Sequence, residues 1–253
     1  MPRRRLRIAL ALGLMVLLAN PLQALDLPRG TLWRVVQTCV LNQTVTGSPF
    51  PCLAVDLAGG TAVLRAPFRQ THVVTMPTAR VTGVEDAALW RTGQPNYFAA
   101  AWQARRFVEA ELKRPVDRTD LGLAVNSRLT RSQDQLHVHV DCIAARARAA
   151  VAKALPSLRD DAWTPDAVQV YGQRYAGRIV PGATLVGTDV FGLAGEVPAI
   201  KAHHARATIA VLGVTLPDGK PGFVLLAGES NPRRASLQST AEDLLDHSCA
   251  RPS

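Results

Sequence analysis

The sequence predicts an α+β fold, an antiparallel sheet with helices packed on it and a C-terminal α/β extension. Three observations carry this. Short runs of alternating apolar and polar residues recur along the chain, most clearly from Gln135 to Ile143. Runs with helical spacing are interspersed among them. Of the 253 residues, 47% are hydrophobic and 19% charged. That is enough apolar side chain to bury a sizeable core, and a composition unlike that of a disordered chain.

The elements follow in order. Arg3, Arg4, Arg5 and Arg7 precede an uncharged apolar run from Ile8 to Ala19, broken by Asn20 and Pro21, with the small Ala24 beyond. This is the layout of a secretory signal. Leu22 is an unusual residue three places before the last position, so residues 1–24 read as a cleaved signal or an N-terminal anchor. Both place the body, 25–253, outside the cytoplasm. Leu27 to Val40 has helical spacing, with Leu32, Val35, Val36 and Cys39 on one face. A turn-rich stretch, Asn42 to Pro51, follows. Strands are expected at Leu53–Leu57, Thr61–Arg65 and Thr71–Met76. Gln94-Pro95-Asn96 is a helix start, and Tyr97 to Lys113 sets Phe98, Ala101, Trp102, Arg105 and Val108 on one stripe. Pro115 stops it. Leu121–Asn126 and Gln135–Ile143 read as consecutive strands, then Ala144–Leu158 as a helix. Beyond residue 160 come strand candidates at Ala167–Tyr171, Arg178–Val180, Ala207–Leu216 and Phe223–Ala227, and a final helix near Leu237–Leu245. Residues 160–253 are an extension or a degenerate second copy of the first half.

Without the four arginines of segment 1–24, the body holds 25 basic and 20 acidic residues, a net charge of +5. That balance suits anionic phosphates or an anionic lipid surface. The charges are scattered, with no basic block of the kind that marks nucleic-acid binding. Four cysteines, Cys39, Cys52, Cys142 and Cys249, are an even number in an exported chain and suggest two disulfides. Three pairings are possible. The favoured one joins Cys39 to Cys52 around a short loop and Cys142 to Cys249, tying the C-terminus to the end of the histidine strand. No pair has the C-x-x-C spacing of a zinc site.

On the strand from Gln135, side chains alternate between faces. Leu136, Val138, Val140 and Cys142 face a core. Gln135, His137, His139 and Asp141 face the other way, neighbours about 6.5–7 Å apart. Several groups at that spacing can grip one phosphate. The loop before them supplies Asn126, Ser127, Arg128, Arg131 and Ser132, all anion-compatible donors. A bland polar strand face or half a metal site fits the spacing as well, though two histidines are too few for zinc.

The run QLHVHVD (135–141) resembles the histidine-triad motif, in which three histidines alternate with apolar residues. THVVTMPTARV (71–81) is similar to that superfamily's Thr-His strand leading into Pro. More specifically, the chain resembles the CDP-diacylglycerol pyrophosphatase family in LNQ…PC (41–52), MPTARVTGVE (76–85), PNYFAAAWQAR (95–105), LAVNSR (123–128), HVHVDCI (137–143) and DHSC (246–249). The chain departs from the motif at its first position, Gln135. Two registers are open: His137 as the middle member, or His139 as the middle member with Asp141 last. Cys142-Ile143 and the distance to Asn126 favour the first.

The resemblance implies a histidine-triad-like fold and hydrolysis of CDP-diacylglycerol to CMP and phosphatidate, without a cofactor or metal. It implies His137 as nucleophile, with His139, Asn126 and His72 beside it. Ser132, Gln135, Arg128 and Arg131 are expected at the substrate. The leader and the lipid substrate together imply a periplasm-facing enzyme at the bacterial inner membrane. The alternatives are an exported histidine-triad hydrolase or transferase acting on another nucleotide pyrophosphate, and an inactive lipid- or metal-binding relative. Phe98, Trp102 and Phe107 are candidates for a lipid seat, although a helix stripe is more often core. His203 and His204 read as surface residues and His247 as structural.

Overall fold

The computed structural model describes residues 28–67, 71–231 and 240–249; segment 1–24 lies outside them. Ten strands form one sheet: β1 (Ala54–Asp56), β2 (Thr61–Arg65), β3 (Val73–Pro77), β4 (Leu121–Val125), β5 (Val138–Ile143), β6 (Thr164–Val170), β7 (Gln173–Pro181), β8 (Ala207–Thr215), β9 (Pro221–Glu229) and β10 (Leu245–Asp246). Their spatial order is β1-β2-β3-β5-β4-β8-β9-β7-β6, with β10 beside β5, and every pairing is antiparallel. The α+β class read from the alternation is the observed one. Strands β6 to β9 continue the sheet outward from β4, joined through the pairs Gly122↔Leu212 to Val125↔Ile209.

Alternation sends Leu121, Leu123, Val125, Val138, Val140, Ile209 and Val211 to one face. Helix α2 (Tyr97–Leu112) packs there. The Asn96 side chain caps it by accepting from the Ala99 amide, and Lys113 ends it in the left-handed region. Phe98 and Trp102 are 1% exposed. They are core rather than a lipid seat, each worth about 2–3 kcal/mol of apolar burial. Phe107 packs at the margin of the same core.

The opposite face is divided. Helix α1 (Thr31–Thr46) covers β2 and β3, with Val36 and Cys39 against Ala62, Val74 and Met76. Helix α3 (Ala145–Ala154) covers the far side, with Ala147 and Val151 against Ala210, Leu212 and Leu226. Between them the C-terminal segment 240–249 crosses the sheet, and its Ala241 and Leu245 rest on Ala124. A Cβ at Gly122 would stand 2.8 Å from Leu245 and 2.7 Å from Leu212. Glycine there lets the segment approach. Two shorter helices, α4 (Val190–Gly195) and α5 (Pro198–Ala202), border the α2 side.

Several boundaries differ from the sequence reading, among them β6 and β7, which begin at Thr164 and Gln173 rather than Ala167 and Arg178. The first helix begins at Thr31 and runs on through Asn42 to Thr46. Its stop is Gly47 (φ 73°), whose amide donates to the Gln43 carbonyl. The histidine run pairs regularly only from Val138. Within the described residues the final helix is a single 3-10 turn, Ala241–Leu244, leading into β10. Both disulfides form as favoured, Cys39–Cys52 and Cys142–Cys249.

Candidate functional site

The site lies on the divided face, where Val74 and Ala124 both pair with His139. His72, immediately before β3, His137, immediately before β5, and His139 on β5 are all buried there. His137 Nδ1 is 2.7 Å from the Gln135 carbonyl oxygen. A carbonyl only accepts, so Nδ1 carries the proton and Nε2 keeps its lone pair. Among the described residues nothing bonds that Nε2. Burial pushes the His137 pKa down, keeping the ring neutral. His139 lies edge-on to it, centroids 4.7 Å apart.

His139 joins three further groups, among them Asn126, whose Nδ2 lies 3.4 Å from His139 Nε2. His139 Nδ1 is 2.9 Å from His72 Nε2, and its Nε2 is 3.5 Å from Glu242 Oε2. Glu242 Oε2 also accepts from Asn126 Nδ2 at 3.1 Å, while the Glu242 amide donates to Asn126 Oδ1 at 3.2 Å. His247 completes the cluster. Its Nδ1 is 3.0 Å from Asp141 Oδ2 and its Nε2 is 3.3 Å from Glu242 Oε1. Fully buried Asp141 also accepts from Thr71 Oγ1 and the Cys142 amide. His247, read from sequence as structural beside Cys249, is half-buried and also joins the histidine cluster.

Desolvation pushes His72 down to about 2 and His139 down to about 4. Both are neutral at pH 7. His247 goes the other way: burial opposes its charge, but the bonds to Asp141 and Glu242 outweigh burial and push it up to about 9. Burial likewise disfavours the Glu242 anion, yet its bond with protonated His247 holds its carboxyl well below the usual carboxylate range. Two neighbours face His139 Nε2: the Glu242 carboxylate could accept a proton from it, and Asn126 Nδ2 could donate to its lone pair. With the proton on Nε2, His139 Nδ1 accepts from His72 Nε2–H; with the proton on Nδ1, it donates to His72 Nε2. His72 Nδ1 is buried without a partner among the described residues.

These shifts predict how stability follows pH. The ordinary histidine pKa is about 6.5. His72, His137 and His139 stay neutral in the fold, so stability falls as acidification below that value charges them in the unfolded chain. His247 contributes stability that is full below about 6.5 and is lost as pH rises through about 9. The melting temperature should therefore peak near pH 6.5 and decline on both sides. In His247→Gln the decline between pH 6.5 and 9 should flatten. An unchanged alkaline slope in that variant would contradict the assignment.

The other expected site residues are placed as follows. Gln135 is fully buried, and its Nε2 donates to the Pro77 and Ala79 carbonyls at 3.0 and 2.9 Å. It braces the lead-in to His137. Arg131 is also buried. Its guanidinium forms a paired bond to Glu85, both contacts 2.6 Å, and a further bond to Asp134. Those donors dock the loop rather than face a substrate. Asp134 in turn pairs with Arg29, and Leu32 N donates to Gln133 Oε1, so the loop is fastened to the start of α1. Arg128 and Ser132 are exposed.

Among the described residues two groups bring ligand-type atoms within 4.8 Å of one another: Asp141, Cys142 and Cys249, whose sulfurs form a disulfide, and His72, Glu242 and His247. However, the two imidazoles stack, centroids 4.2 Å apart and planes 24° apart. Their lone pairs lie in nearly parallel planes and do not converge on one ion without a ring turning. Sequence reading missed Glu242 altogether. The available signal was the favoured Cys142–Cys249 pairing, which carries the residues just before Cys249 onto the strand beside Asp141.

Comparison with known proteins agrees with the geometry. The family model described as CDP-diacylglycerol pyrophosphatase matches residues 28–252. A CDP-diacylglycerol pyrophosphatase of Yersinia pestis is 34% identical over 224 residues, 86% of this chain and 83% of the relative. A protein of Mycobacterium leprae (strain TN) named "Probable CDP-diacylglycerol pyrophosphatase" is also 34% identical over 224 residues, 88% of this chain and 81% of the relative. The histidine cluster, both disulfides and the C-terminal segment that closes the site all fall inside the matched span, and the chain belongs to the CDP-diacylglycerol pyrophosphatase family.

Proposed function

We propose that this chain hydrolyses CDP-diacylglycerol to CMP and phosphatidate through a histidine-bound CMP. One observation carries the mechanism: the Gln135 carbonyl fixes the proton of neutral His137 on Nδ1, which leaves Nε2 as a free nucleophile. Nε2 attacks the cytidylyl phosphorus. The bond from that phosphorus to the bridging oxygen breaks, and phosphatidate leaves with the electron pair. The ring now carries positive charge, and its Nδ1–H bond to the Gln135 carbonyl strengthens. Water then attacks the phosphorus, the N–P bond breaks, and CMP departs while the Nε2 lone pair returns. The proton of that water passes to solvent. Positioning and charge stabilisation dominate such transfers. Exposed Arg128 and Ser132 meet the phosphates. Asn126 Nδ2 faces both Glu242 Oε2 and His139 Nε2, so Asn126 belongs with the orienting groups.

The chain acts outside the cytoplasm, at the outer face of a bacterial inner membrane. The leader-like sequence and two disulfides support this reading. Among the described residues no helix is long and apolar enough to cross a membrane. Residues 35–55 hold no charge in a chain that is 19% charged. In that stretch Leu41 is 61%, Val45 72% and Phe50 73% exposed. Leu41 and Val45 share one side of α1, and Asn42 Nδ2 donates to the Phe50 carbonyl at 2.6 Å, keeping the loop against the helix end. An uncharged apolar tip of this kind fits the interface of the bilayer that holds the substrate.

The test offers the full chain CDP-diacylglycerol in anionic vesicles, then acid-quenches and digests it. CMP, phosphatidate and a cytidylyl mass on the peptide containing His137 are expected, with the chain floating on the vesicles. Ample product without that mass would remove the covalent step. Turnover of other nucleotide pyrophosphates but not of this lipid would move the substrate assignment. Failure to float would remove the membrane claim.

A further inference from the structure

Resting on the histidine-bound intermediate above, we propose that Glu242 is a positioning residue of this reaction. Its carboxylate, held beside His139 by Asn126 and His247, favours the cationic His137 adduct, and Asp141 holds His247 in turn. The geometry is a chain of side chains from two parts of the sequence, β5 and the C-terminal segment. Asp141 on β5 bonds His247 Nδ1, His247 Nε2 faces Glu242 Oε1, and Glu242 Oε2 faces His139 Nε2. His139 packs edge-on against His137. Asn126 bonds the Glu242 side chain and backbone at once, so the carboxylate has little freedom. The Thr240 capping box and the seat of Ala241 and Leu245 on Ala124 fix the backbone that carries it.

The charge balance follows from the same contacts. Asp141, Glu242 and His247 form two carboxylates around one imidazolium, a net single negative charge. That charge faces substrate phosphates and so adds nothing to substrate binding. It becomes favourable when His137 Nε2 bonds phosphorus and the ring turns cationic. The cluster therefore stabilises the intermediate and the transition states flanking it more than the bound substrate, which is the condition for a gain in kcat. Gln135 at the first triad position contributes no charge, so the carboxylate supply comes from the C-terminal segment.

The pH dependence follows. The titratable groups around His137 and Glu242 are His72, from the lead-in to β3, His139 and Asp141 on β5, His247 on the C-terminal segment, and Arg131 in the preceding loop. Attack requires neutral His137, so the acid limb of kcat/KM follows protonation of that ring. The Glu242 anion favours the protonated ring, and Arg131 disfavours it. Removing the anion should move the acid limb to lower pH while lowering the maximal rate.

The experiment compares wild type, Glu242→Gln and Glu242→Asp on CDP-diacylglycerol across pH, with single-turnover trapping of the His137 adduct. Glu242→Gln keeps the shape and loses the charge. It should cut kcat on the order of 10²-fold, leave KM little changed, accumulate less adduct, and show an acid limb displaced to lower pH. Glu242→Asp should recover part of the rate and return the limb toward wild type. A purely structural role predicts loss in proportion to the unfolded fraction, followed by thermal melting, with the limb unmoved. That result overturns the proposal, as does a Glu242→Gln variant with wild-type rate. If wild type itself turns over with no His137 adduct, the covalent reading fails and this proposal goes with it. An adduct in wild type with an unmoved limb in the variant removes this proposal alone.

Discussion

His137→Ala should lose CMP release from CDP-diacylglycerol by at least about 10⁴-fold, while His139→Ala retains measurable turnover. The proposed reaction makes and breaks a bond at His137 Nε2, and alanine offers no atom there. Removal of a nucleophile that acts as part of a unit costs about as much as removal of the whole unit. His139 makes no such bond. It relays the orientation set by Glu242 and the buried His72, so its loss weakens the site without deleting the reacting atom. His137→Ala should still melt cooperatively, because the sheet around it is held by Val138 and Val140 in the core. The reverse ranking, a dead His139→Ala beside an active His137→Ala, would hand the nucleophile to His139 and shift the register by two residues.

The second large effect concerns Cys142–Cys249, whose sequence separation is 107 residues. In the chain-entropy account, a loop of that size stabilises by roughly 4–5 kcal/mol. Cys142→Ser with Cys249→Ser should lower the melting temperature by roughly 10 °C or more, using about 2–4 °C per kcal/mol for a chain of this size. The Cys39–Cys52 loop spans 13 residues and should cost less when opened, roughly 3 kcal/mol. Activity separates the two bonds further. Residue 249 lies two positions from His247 and seven from Glu242, so opening the long loop loosens the groups around His139. Opening the short one frees only the end of α1 and its loop. Calorimetry and turnover of both double variants check this. Equal losses of activity from the two would argue that the C-terminal segment has no part in the site.

Much of the fold was legible because alternation and capping are local. The α2 boundaries follow from Pro95, Asn96 and Pro115, and the core face of the histidine strand from Leu136, Val138, Val140 and Cys142. The end of α1 was misplaced because Asn42 to Thr46 looks like loop composition. What stops the helix is the left-handed Gly47. The strand that carries the candidate site could be found from His137 and His139 alone. The charge partners could not, since Glu242 and His247 reach the site through tertiary folding over more than 100 residues. Arg131 misled for a related reason: an arginine in a polar loop looks available to anions, and only the fold shows Glu85 opposite it. Gln135 looked like a weakened triad member, whereas its side chain ties down the backbone of residues 77–79.

In the strand order, β4 meets β8 on the side away from β5, and the described sheet ends at β1 and β6. Two-residue β10 borders β5 directly, but both ends of the strand order lie two or more strands from the histidines. Should copies of this protein associate by lengthening the sheet at β1 or β6, each would keep its histidine face uncovered.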